Sequence, residues 1–109
     1  MYDTHMTNPR LTQIEKRIER IKAELTAIGD MRPGSLTCQY KDPESRSGPR
    51  YQLSYTRDMK GRTEYIPRDC VREIRRQIGN YKRFKALTAE WIERSIEQSR
   101  LKIKSAGKP

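Results

Sequence analysis

Apolar residues recur at Leu11, Ile14, Ile18, Ile21, Leu25 and Ile28, with gaps of three and four in alternation. That spacing keeps one narrow stripe of a helix apolar and has the form of a heptad seam. Gly29, Asp30 and Pro33 are stop signals behind it. The pattern predicts a coiled-coil-like amphipathic helix over residues 10–30. Residues 1–9, polar and ending in Pro9, are predicted to be a disordered leader. Glu15, Arg17, Lys22 and Glu24 flank the seam where coiled coils carry charged pairs. The stripe suits packing within one chain and an intermolecular zipper equally well. As an oligomer interface it would use Leu11, Ile14, Ile18, Ile21, Leu25 and Ile28.

Between residues 31 and 67 the period changes from helical to two. Leu36, Cys38 and Tyr40 alternate with Ser35, Thr37 and Gln39, and Tyr51, Leu53 and Tyr55 alternate with Gln52, Ser54 and Thr56. Thr63, Tyr65 and Ile66 close the region before Pro67. Breaks are expected at Asp42-Pro43, at Ser47-Gly48-Pro49 and at Asp58-Met59-Lys60-Gly61, all of them turn-forming residue types. Three short antiparallel strands follow, the last two joined by a tight hairpin.

A second helical pattern covers residues 68–104, ahead of a loose tail at 105–109. Val71, Ile74, Ile78 and Tyr81 form one stripe; Phe84, Leu87, Trp91, Ile92, Ile96 and Ile103 continue on a broader one. The apolar face changes at Gly79-Asn80, so the region is either one long helix with different neighbours or a helix kinked there. Phe84, Leu87, Trp91 and Ile92 are the expected packing residues of its second part. The fold class is α+β: helix, three-stranded antiparallel sheet, then one long or kinked helical region.

Composition limits the core. Apolar residues make up 33% of the 109, charged residues 35%, and mean hydropathy is -1.05. So short a chain buries a modest share of its surface, so a partner, most simply a second copy, is expected to cover some of the apolar remainder. No segment has the apolar length to span a membrane. Nor does the start carry an apolar signal segment. A cytoplasmic protein is expected.

Net charge changes the picture more. It is +10, and residues 68–85 contribute seven basic and two acidic side chains, half of the excess. The first thirty residues balance to zero. On a helical wheel Arg68, Arg72, Arg75, Arg76 and Arg83 lie on one side, with Lys82 beside them, while Val71, Ile74 and Ile78 lie on or near the other. Solvated helix faces ordinarily mix signs, and guanidinium groups grip phosphate with two arms. This face is the expected nucleic-acid contact, for DNA or RNA. Arg50, Arg57, Lys60 and Arg62 on the strand region form a second basic set, with Tyr51 and Tyr55 among them. Tyr51 and Tyr55 share a face with Leu53, which suits core more than base stacking.

Catalytic chemistry finds few residues. His5 is the single histidine, Cys38 and Cys70 are too far apart for a metal or redox pair, and no phosphate-loop or dinucleotide motif occurs. No catalytic residue, metal ligand or cofactor is expected. Two reduced thiols suit the cytosol.

Gly34-Ser35-Leu36, Gly48-Pro49-x-Tyr51-x-Leu53-Ser54-Tyr55, Gly61-Arg62-Thr63, Tyr65-Ile66-Pro67 and Asn80-Tyr81-Lys82-Arg83-Phe84-Lys85-x-Leu87 together resemble a family of small prokaryotic proteins of unknown function. The resemblance covers roughly residues 31–100. Such proteins are similar to accessory products of transposons and other mobile elements, which implies a nucleic-acid role. Members often carry a cysteine cluster ahead of the Gly-Pro; residues 41–47 here have none, so no metal site follows. The expected function is a nucleic-acid-binding accessory protein, oligomeric or part of a larger complex. The alternative is an adaptor that docks a larger protein through its helices. Membrane-surface binding by the basic helix is a third reading.

Overall fold

A computed structural model of the chain describes residues 8–107. Helix α1 spans Pro9–Thr26, strand β1 Ser35–Asp42, strand β2 Ser47–Arg57 and strand β3 Lys60–Ile66. A 3-10 turn at Arg68–Cys70 leads into helix α2, Val71–Ala106. The architecture is α+β, with strand order β1-β2-β3 and both pairings antiparallel. Of the expected leader, only Asn8 and Pro9 are among the described residues. Ser105 and Ala106, expected in the tail, still belong to α2. The chain divides into two compact units: residues 29–83, and α1 together with residues 84 onward.

In the first of these units the sheet and the start of α2 share a core. Leu53, Ile66 and Ile78 are buried, and Leu36, Tyr51, Tyr55, Val71 and Ile74 pack against them. Register explains the set. Leu36 pairs with Leu53 and Tyr51 with Ile66, so the period-two positions of all three strands meet on one face. The other face carries Thr37, Gln52 and Tyr65 in one row, open to solvent on Thr37 and Tyr65.

Both hairpins rest on left-handed backbone. Asp58 and Met59 have φ of 52° and 63°, and Arg57 pairs with Lys60 around them, a two-residue turn of the twist that antiparallel strands favour. Gly48-Pro49, expected as a break, lies inside β2. Pro49 pairs with Tyr40 of β1, and β3 begins its pairing only at Tyr51, so no bond to β3 is lost at the proline. Gly34 has φ 129°, and a Cβ there would lie 2.8 Å from the Ser54 carbonyl oxygen, so β1 enters through a glycine.

The other unit is a helix pair. Asn8 caps α1, its Oδ1 accepting from the backbone N–H of Arg10 at 2.8 Å and of Leu11 at 3.4 Å. Pro9 opens the helix where no N–H is needed. Arg10 bonds Glu97 and Arg17 bonds Glu90, while Lys102 lies 3.9 Å from Glu15. From Arg10–Glu97 to Arg17–Glu90 the α1 number rises while the α2 number falls, so the helices run antiparallel; the longer Lys102–Glu15 contact lies off that register. Ile14, Ile18, Ile21 and Leu87 are buried; Leu11, Leu25, Ile28 and Trp91 are half-buried. The heptad stripe is thus used within one chain. Ile14, Ile18 and Ile21 are already out of water before a second copy arrives and are not available as the oligomer interface expected of them. The expected packing set of α2 also changes. Ile92 is 61% exposed, because it lies about 140° around the helix from Leu87.

Helix α2 is continuous through Gly79-Asn80. Asn80 does not end a helix; its side-chain amide donates to the Asp30 carbonyl at 2.8 Å and holds the segment that follows α1. The apolar stripe changes because Val71, Ile74 and Ile78 serve the sheet, and Leu87 and Trp91 serve α1. Cys38 and Cys70 are free thiols.

Candidate nucleic-acid interface

Val71, Ile74 and Ile78 fix which way the start of α2 faces, since all three pack on the sheet. At about 100° per residue, Arg72, Arg75, Arg76, Lys82 and Arg83 then turn to the remaining arc, and every one of them is exposed. Arg68 precedes them in the 3-10 turn, also exposed. From Lys82 round to Arg83 that arc contains no carboxylate; Asp69 and Glu73 lie beyond its edge. The structure thus brings the six predicted helix residues onto one side. Arg72 and Arg83 are eleven residues apart, roughly 16 Å along the helix axis.

The residues of this face are not equivalent. Arg76 donates from Nε and Nη2 to Glu73 at 2.7–3.1 Å, and Gln77 bonds the same carboxylate at 2.9 Å. These bonds hold Glu73 below the usual carboxylate range and raise Arg76 above its own. Part of the Arg76 charge is therefore already answered. Arg68, Arg72 and Arg75 have no ion pair among the described residues, and they carry the cationic character of the face.

Arg57, Lys60 and Arg62 sit on another element, the β2–β3 hairpin, and are exposed. Arg62 pairs in register with Tyr55, which puts it and Arg57 on the helix-bearing side of the sheet. The opposite, open face contributes Arg50, which lies over the Tyr65 ring at 5.9 Å. Tyr51 and Tyr55 are core, as their shared face with Leu53 requires.

One structural set escaped the sequence pattern. Arg32 bonds Glu64 at 2.7 Å, Tyr55 donates its hydroxyl to the same carboxylate at 2.8 Å, and the Arg32 guanidinium lies 5.2 Å from the Tyr55 ring centre. The Arg32 backbone N–H donates to the Gln77 carbonyl at 3.1 Å. Hydrogen bonds from Arg32 first, and Tyr55 second, hold the Glu64 carboxyl below its usual range. This clamp ties the segment after α1 to β2, β3 and α2, and so steadies the helix that bears the arginines. A lone arginine between elements has no periodicity to announce it.

Among the described residues, no three His, Cys, Asp or Glu side chains are grouped to hold a metal ion. No helix of the described residues is long and apolar enough to cross a membrane.

Sheet, helix and one-sided cationic face define a small α+β protein. The chain belongs to a family described as a domain of unknown function (DUF6788), whose match covers residues 11–76: α1, the sheet and the first turns of α2. Residues 31–76 are common to this match and to the resemblance found in the sequence. No curated protein and no solved structure matches the chain.

Proposed function

We propose that the protein binds nucleic acid through phosphate contacts made by the arginine face at the start of α2. The observation that carries this reading is the carboxylate-free arc holding Arg68, Arg72, Arg75, Lys82 and Arg83, in a chain of net charge +10. A rigid helix supported on a sheet holds guanidinium groups at fixed spacing, so less conformational entropy is lost when phosphates engage them. Phosphate contacts position a protein without reading sequence, so binding is weakly sequence-dependent, to duplex DNA or to RNA. The reading is of a binding protein, not an enzyme, acting in the cytoplasm, where free Cys38 and Cys70 are at home. The likeness of its Gly-Pro, Gly-Arg-Thr and Asn-Tyr-Lys-Arg segments to accessory products of mobile elements supports the same role.

The test is equilibrium binding to mixed-sequence duplex DNA and to single-stranded RNA. Changing Arg68, Arg72 and Arg75 together to Gln removes three charges from the unpaired part of the face and is expected to abolish most low-salt affinity. Lys16→Gln with Arg20→Gln, on the exposed side of α1, serves as the charge control. A triple variant that binds as the parent does would overturn the assignment. The hairpin set Arg57, Lys60 and Arg62 would then be changed in turn.

The adaptor reading has one observation in its favour. The second part of α2 exposes Ile92, Ile96 and Ile103, an apolar surface that no other described residue covers.

A further inference from the structure

Large apolar side chains seldom stand exposed in a row on a small protein, yet Ile92, Ile96 and Ile103 are 61%, 42% and 68% exposed. They line one side of α2. Leu87, Glu90 and Trp91 turn toward α1, as burial, the Glu90–Arg17 pair and the Lys22 ammonium over the Trp91 ring require. About 150° round the helix lie Ala89, Ile92, Ile96, Ser99, Ile103 and Ala106, with gaps of three, four, three, four and three. That is a second heptad seam, and unlike the one on α1 it has no partner among the described residues of the chain. A shallow groove of about 540 Å³ runs along it, lined by Trp91, Ile92, Ser95, Ile96, Ser99 and Arg100.

We infer that this seam is covered by a second copy of the chain, α2 against α2 in antiparallel alignment about a two-fold axis between Glu97 and Gln98. The seam is self-complementary in that arrangement. Ala89 meets Ala106 of the second copy, Ile92 meets Ile103, and Ile96 meets Ser99, each contact occurring twice as a two-fold requires. The flanking charges agree. Glu93 and Arg100 border the stripe on the same side, and antiparallel pairing brings Glu93 opposite Arg100 of the second copy in both halves. Neither has an ion pair within the chain among the described residues. Parallel pairing lacks this match: Glu93 would face Thr88, and Arg100 would face Ser95. Size agrees as well, since a seam of eighteen residues is about 26 Å long, enough for a reversible dimer whose population depends on concentration.

Sedimentation of the full chain from low to high micromolar concentration tests this. The parent is expected to pass from monomer to a species of twice the mass. Ile96→Asp with Ile103→Asp alters exposed positions only, so helicity and thermal midpoint hold while the variant stays monomeric throughout. Glu93→Arg alone and Arg100→Glu alone each set like charges together twice and weaken the dimer about tenfold or more. The double exchange, E93R with R100E, restores parental affinity. A parent that remains monomeric at every concentration would overturn the inference and leave the stripe to a different partner. A dimer that survives the aspartates would overturn it too. Charge exchanges whose losses simply add would exclude the antiparallel alignment.

Discussion

Arg17 and Glu90 meet in a two-armed ion pair, Nε to Oε2 at 2.7 Å and Nη2 to Oε1 at 2.6 Å, across 73 positions of sequence. Arg17 also lies 3.4 Å from Glu24, and Arg94 lies 3.4 Å from Glu90. The pair fixes the antiparallel register of α1 on α2 at mid-height, beside the buried Ile14, Ile18 and Ile21.

Acid should therefore loosen the helix pair. The Arg17 hydrogen bonds, followed by its charge, lower the Glu90 carboxyl from 4.5 to about 2. With the folded value below the unfolded one, the contribution is complete above about 4.5 and is lost as pH falls through about 2. Glu97 beside Arg10 is shifted in the same direction. Glu90→Gln should lower the denaturation midpoint at pH 7, and the gap from the parent should close toward pH 2. Urea titrations across that range check it; a gap independent of pH would contradict the assignment.

The β2–β3 turn leaves room for stabilisation. Met59 has φ 63° and is 97% exposed, so its side chain gives nothing back for a left-handed backbone. Met59→Gly should stabilise the fold by about 1 kcal/mol. Chemical denaturation measures this, and a loss of stability would mean that the turn is not as described.

Burial separates two isoleucines on the helix pair. Ile21 is 0% exposed and Ile92 61%. Ile21→Ala should cost about 2–5 kcal/mol. Ile92→Ala should cost the monomer under about 0.5 kcal/mol. Denaturation of both variants in dilute solution, where the chain is monomeric, reads the contrast. Similar losses would contradict the orientation of α2.

The periodicities of α1 and of the three strands were legible because each element buries one face, which writes its period into the sequence. What covers a face was not legible. The stripe from Leu11 to Ile28 read equally as a zipper, because the residues that cover it, around Leu87 and Trp91, lie sixty and more positions away. Gly79 weakens a helix by about 1 kcal/mol relative to alanine, which made a kink plausible. The Asn80 bond to Asp30 is long-range and leaves no pattern. Gly48-Pro49 read as a break because its tolerance depends on where β3 stops pairing. The arginine face was legible as charge, but the Glu73 bond that engages Arg76 was not separated from the rest.

The central claim, that the start of α2 grips phosphates, is tested most directly by the salt dependence of duplex DNA binding. Each phosphate contact contributes about 0.9 to the slope of log affinity against log salt. The triple change of Arg68, Arg72 and Arg75 to Gln should therefore flatten the parental slope by about 2.7, with helicity unchanged, if each arginine meets one phosphate. An unchanged slope and affinity in the folded triple variant would contradict the account.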